Sequence, residues 1–132
     1  MDYQKIIDRY YPEDNKLKYI LITHSRLVSQ RALKICDAHP ELGMDRQFIE
    51  EAAMLHDIGI CRCDAPGIEC FGTEPYICHG RIGATMLRAE GLERHAIFHC
   101  EFELLPCVSL SSNSKADLFK SLIHASLYRL HK

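Results

Sequence analysis

His56 and Asp57 stand side by side in Ala52-Ala53-Met54-Leu55-His56-Asp57-Ile58-Gly59, an apolar run closed by a glycine. Leu55 and Ile58 flank the polar pair, which sets it at the edge of a core rather than in free solvent. Burying two ionisable neighbours there is costly unless something pairs with them, and a divalent metal ion satisfies both. Other inward polar residues follow in order along the chain: His24, His79, His99 and Asp117, each within a different helical stretch. Imidazole and carboxylate without thiolate suit Fe, Mn, Co, Ni or Zn at a catalytic rather than a structural centre. His24, His56, Asp57 and Asp117 would hold one ion, and His79 and His99 would allow a second, with Asp57 bridging. Each outer member also has a plainer reading. His24 alone reads as a core histidine bonded to a backbone carbonyl, His99 as a surface residue, and Asp117 as a capping-box acid after Ser114.

The elements that must carry these residues are helical. A short helix is expected over residues 3–10, with Ile6, Ile7 and Tyr10 inward. Asp14 is placed to cap a long helix over 15–37, whose apolar positions Leu17, Ile20, Leu21, Leu27, Val28, Ala32 and Ile35 recur at three- and four-residue steps. His24 falls in that stripe. Asp45 caps a helix over 46–58, and Gly59 fits the left-handed position just after a helix end. Asp57 in a last turn opposes the helix dipole, so something else must hold it there. Pro, Gly and Cys over 60–75 read as a long loop of the kind that covers a ligand. A helix returns over 76–90, ended by Gly91, and Gly83 within it suggests close approach by another helix or a ligand. A further helix over 92–102 carries His95 and His99, four apart and able to aim at one point. An uncharged linker over 104–114 leads to a last helix over 115–131. With no alternating strand pattern and no repeat, the expectation is one all-α domain, 1–132, built as a bundle of five to six helices.

Bulk composition excludes several classes. The chain has 132 residues, 47% hydrophobic and 26% charged, with a formal net charge of −2. It therefore carries no field to attract a nucleic acid polymer or an acidic membrane surface. No apolar run reaches the roughly 20 residues of a membrane span, and the first residues lack a signal-peptide pattern. A cytoplasmic location with reduced thiols is expected. Of the seven cysteines, Cys61, Cys63, Cys70 and Cys78 fall close together, but without the CxxC knuckles of a structural zinc site.

His-Asp-Ile-Gly at 56–59, preceded by Ala-Ala-Met-Leu and by a histidine on an earlier helix, resembles the HD-domain metal-dependent phosphohydrolases of the HDIG subgroup. Cys78-His79-Gly80-Arg81-Ile82-Gly83-Ala84 is similar to the His-Gly-x-x-Gly-Ala segment of HD proteins with a dinuclear centre, including those that split diadenosine tetraphosphate symmetrically. The resemblance covers about residues 17–96. It implies a helical HD-like bundle, with His24, His56 and Asp57 as metal ligands and His79 as a second-metal ligand or phosphate contact. It also implies hydrolysis of a nucleotide or other small phosphoester by metal-activated water, with Asp57 orienting that water or taking its proton. Arg26, Arg62 and Arg81 are the candidate phosphate contacts, Arg81 being the best placed. Residues 97–132 depart from the pattern: His99-Cys100-Glu101 stands where the relatives have a histidine followed by Thr-Gly, although Ala116-Asp117 keeps a compatible separation. The alternative that this departure raises is a catalytically weak or inactive metal- or nucleotide-binding module.

Overall fold

The structure is a computed structural model that describes residues 1–103, with side chains through Phe98. The linker expected over 104–114, the helix over 115–131 and the Ser114/Asp117 cap lie outside the described residues.

Helix α1 (Tyr3–Tyr10) forms where expected and buries Ile6 and Ile7. Asp2 caps it through the Lys5 amide at 3.3 Å. Helix α2 (Lys16–Ala38) starts one residue later than expected, because Asn15 and not Asp14 is the cap. The Asn15 side chain accepts from the Lys18 amide at 3.0 Å, while Asp14 pairs instead with the Lys18 ammonium at 3.2 Å. The buried stripe of α2 is Leu21, Ser25, Val28, Ser29 and Ala32. It is rotated from the apolar stripe read in the sequence, so that Leu27 is exposed and His24 moves from the core face to its edge. The small serines let α3, the main partner of α2, pack against this face.

Helix α3 (Arg46–Leu55) is capped by Asp45, whose carboxylate accepts from the Phe48 amide at 3.2 Å. It ends at Leu55, short of the expected 58, and the chain turns through His56 and Asp57 into a 3₁₀ turn over Ile58–Arg62. Residues 60–75 are not the irregular loop that proline and glycine suggested. They fold into β1 (Cys63–Ala65), β2 (Cys70–Phe71) and β3 (Glu74–Pro75), ordered β2-β1-β3. β2 runs antiparallel to β1, with Asp64 opposite Phe71, and β3 runs parallel to it, with Asp64 opposite Pro75. Two- and three-residue strands are too short to display alternation, which is why no pattern announced them. The register sorts the faces: Cys63 and Cys70 point into the core, and Phe71, Asp64 and Pro75 point out.

A 3₁₀ turn over Tyr76–Cys78 leads into α4 (His79–Ala89). Gly91, at φ +77°, ends that segment as expected, and α5 (Glu93–Glu103) follows. Helix α4 packs on α5 and on the turn after α3. One core joins Ile7, Leu21, Leu55, Ile58 and Leu87, and another joins Val28, Ala32, Phe48, Ile49 and Ala53. The described fold is thus all-α with a minor sheet, as the periodicity indicated. Among the described residues no helix is long and apolar enough to cross a membrane.

A buried charge ties α3 to α5 and to the start of the chain. One oxygen of Glu51 accepts from the Met1 α-amino group at 2.9 Å and from the Gln47 amide at 3.0 Å, and the other lies 2.9 Å from His95 Nε2. His95, considered beside His99 as a ligand, is occupied here and packs on the Phe48 ring at 4.7 Å. Burial alone would raise the Glu51 carboxyl, but the amine, Gln47 and His95 together hold it below the usual glutamate range. A lowered folded-state pKa means stability that is present above that range and lost as pH falls through it. Glu51→Gln is therefore expected to cost about 2 kcal/mol in urea unfolding at pH 7. The gap to the wild type should narrow as acid protonates the Glu51 carboxyl, below the usual glutamate range, and a gap independent of pH would refute the charge network.

Candidate metal centre

Four side chains from three parts of the chain meet below the end of α3. His24 comes from the edge of the α2 stripe, His56 and Asp57 from the turn that ends α3, and His79 from the first residue of α4. His24 Nε2 lies 3.4 Å and His56 Nε2 3.3 Å from Asp57 Oδ2, while His79 Nε2 lies 3.3 Å from Asp57 Oδ1. Both carboxylate oxygens are thus engaged, one by two imidazoles and the other by the third. The imidazoles of His24 and His56 stand 5.2 Å apart, centroid to centroid. The side chains of Asp57, His56 and His79 are 13–15% exposed, whereas that of His24 is 37% exposed, so His24 marks the open side.

Two histidines are oriented from behind. His56 Nδ1 lies 2.6 Å from the Ala53 carbonyl and His79 Nδ1 2.6 Å from the Tyr76 carbonyl. A carbonyl only accepts, so each Nδ1 carries a hydrogen and donates it, and Nε2 is the atom turned to Asp57, able to bind a metal ion once it gives up its own proton. Burial would raise the Asp57 carboxyl, but His56 first and then His79 hold it well below the usual carboxylate range. The pair is therefore anionic at Asp57. Burial acts to lower His56, yet Asp57 and the Ala53 carbonyl raise it overall.

This donor set fits a divalent transition metal. Ligand atoms of His24, His56 and Asp57 all lie within 4.8 Å of one another, the donors are nitrogen and oxygen, and the carbonyl behind His56 turns its Nε2 towards Asp57. Among the described residues this is the one group of three or more such side chains that meets the spacing. The cysteines of 61–78 do not form another. The thiols of Cys61 and Cys63 lie 3.8 Å from the carbonyls of Ile58 and Gly59.

Gly59 does not adopt the left-handed backbone expected of it. Its role is close approach: a Cβ there would stand 2.2 Å from the His79 carbonyl oxygen and 2.6 Å from the Gly83 nitrogen. The turn after the His-Asp pair is thus pressed onto the first turns of α4, which is what brings His79 to Asp57. The close approach inferred for Gly83 is this contact. From the other side Tyr11, buried at 4% exposure, donates to the Ile58 carbonyl at 2.8 Å and accepts from the Cys61 amide at 3.1 Å. Burial, then the neighbouring Cys61 thiol, pushes its phenol far above the ordinary tyrosine range. No local pattern marked Tyr11, because its partners are about 50 positions away. Tyr11→Phe strands that carbonyl and amide, so a loss of about 1–2 kcal/mol is expected in thermal or urea unfolding. A neutral substitution would show that the turn does not depend on the hydroxyl.

The remaining candidates fall elsewhere. Arg81 is exposed in the first turn of α4, two residues past His79. Arg62 is exposed at the end of the 3₁₀ turn, and Arg26 is exposed on α2. His99 falls within α5, but its side chain, like all of Asp117, lies outside the described residues.

A family model described as HD domain matches residues 21–105, which takes in His24, His56, Asp57 and His79. No curated protein and no solved structure matches the chain. With more than half of its length matched and its histidines gathered on one aspartate, the chain belongs to the HD domain family of metal-dependent phosphohydrolases.

Proposed function

We propose that this protein hydrolyses a nucleotide or another small phosphoester at a centre of one or two divalent transition metals, in the manner of the HDIG subgroup. The observation that carries the reading is the convergence of three imidazole nitrogens on the two oxygens of Asp57. His24, His56 and Asp57 Oδ2 would hold one ion, and His79 with Asp57 Oδ1 would share in a second. His99 and Asp117 are proposed to complete the set. When bound, the metal supplies Lewis acidity, polarising a phosphoryl oxygen and acidifying a water.

The protein's own groups do the rest. Asp57, held as the anion, orients the attacking water or receives its proton. The carbonyls behind His56 and His79 keep both rings turned with Nε2 towards Asp57. We assign Arg81 to the phosphate as the arginine nearest to His79 along the chain. Arg62 and Arg26, both exposed, are secondary candidates.

The test is metal analysis of the purified protein followed by turnover of a phosphomonoester and nucleotide panel with added Mn²⁺, Fe²⁺, Co²⁺ or Ni²⁺. Product above an Asp57→Ala control is expected. Bound metal without turnover would leave a binding module, and a protein indifferent to chelation with no stoichiometric metal would defeat both readings.

A further inference from the structure

The 3₁₀ turn before α4 carries an aromatic side chain that the phosphoester chemistry does not use. The Tyr76 ring lies against the His79 ring, 4.5 Å between centroids and tilted by 30°. Its residue is nevertheless 44% exposed, so one side of the ring covers the histidine and another meets solvent. The exposure continues through Ile77 at 85% and, across the sheet, through Phe71 at 73% and Pro75. The register sets Phe71 and Pro75 on the outward face of the sheet, one on each side of the exposed Asp64, and Pro75 leads directly into Tyr76. Large apolar side chains gathered at the surface mark a contact site more often than accident. This shelf begins on the ring of a residue in the metal centre, so its occupant is a group attached to whatever that centre holds.

We propose that Tyr76 is a specificity-determining residue that stacks the base of a nucleoside phosphate whose phosphate sits at His79 and Asp57. The inference rests on the phosphoester reading and deepens it, choosing nucleotides over aliphatic phosphoesters. A nucleobase suits the shelf because stacking needs a planar face and an apolar floor and no fixed hydrogen-bond pattern. Ring stacking on His79 keeps Tyr76 in place before the ligand arrives, so little rotamer freedom is lost on binding.

The test compares AMP with ribose 5-phosphate, which differ in the base alone, on the full chain loaded with Mn²⁺. Dissociation constants are read by calorimetry, or KM where the ligand is turned over. The wild type is expected to favour AMP by about tenfold or more, and Tyr76→Ala to bring the ratio of the two affinities towards one, in line with the loss seen when a stacking ring is removed. Tyr76→Phe, which keeps the ring, should restore the ratio. If Tyr76→Ala sheds manganese, Tyr76→Leu, apolar but not planar, carries the same comparison. Equal affinity of the wild type for the two ligands, or a ratio unmoved by loss of the ring, overturns the stacking and leaves the phosphoester reading standing. Binding of neither ligand overturns both.

Discussion

Asp57→Ala is expected to remove stoichiometric metal from the purified protein while leaving its helical circular dichroism intact. Asp57 is the one side chain in contact with all three imidazoles, and both of its oxygens are used. It also supplies the only negative charge among them, held ionised well below the usual carboxylate range by His56 and His79. Altering groups that merely orient a ligand costs 10- to 100-fold in metal affinity, so losing the shared ligand itself should cost about a hundredfold or more. Asp57→Asn, which keeps the shape and loses the charge, should behave almost as badly. His24→Ala removes one nitrogen at the open edge and should be milder. Emission spectrometry for metal content and calorimetric titration with Mn²⁺ read these differences. Retention of tight metal by Asp57→Asn would mean that the anion is not what the centre requires.

Gly59→Ala carries the second large effect. A Cβ at 2.2 Å from the His79 carbonyl oxygen and 2.6 Å from the Gly83 nitrogen meets backbone, which cannot swing aside. Either the 3₁₀ turn or the start of α4 must move, at a cost of about 3 kcal/mol or more. Because the displaced group is His79 itself, metal affinity should fall along with stability. Gly67→Ala is the control: nothing lies within 4 Å of a Cβ there, and a change within about 0.5 kcal/mol is expected. Equal melting temperatures for the two variants would show that the crossing is looser than its geometry says.

Much of the centre was legible because its signals are local. His56 and Asp57 are adjacent in an apolar run, and helix period brings His24 and His79 near the inward sides of other helices, although the structure leaves His24 at the edge of its stripe. Asp45 and Gly91 likewise declared the ends of their segments, since capping and left-handed turns are decided within a few residues. Sequence does not choose Asn15 over Asp14 as the cap of α2, because both side chains suit a cap and one residue separates them. Leu27 belongs to the apolar stripe yet stays exposed, because a 23-residue helix offers more apolar surface than its neighbours cover. The sheet of 63–75 escaped notice because its strands are shorter than any alternation they could show.

By its order of residues the chain determined that a buried-edge His-Asp pair needs a cationic partner, and that histidines on separate helices are available to help. Only the tertiary structure decided how they meet. Gly59 can be read as a helix stop from its position, and the crossing over His79 and Gly83 appears only when α4 returns to the end of α3. Tyr11 and Tyr76 take their meaning from contacts made by folding, one pinning the turn after the His-Asp pair and the other packing its ring, tilted, against His79. The reason is physical: caps and periodicity act over a few residues, whereas close packing of two backbones and the sharing of one carboxylate by histidines from three parts of the chain depend on which elements the folded core brings together.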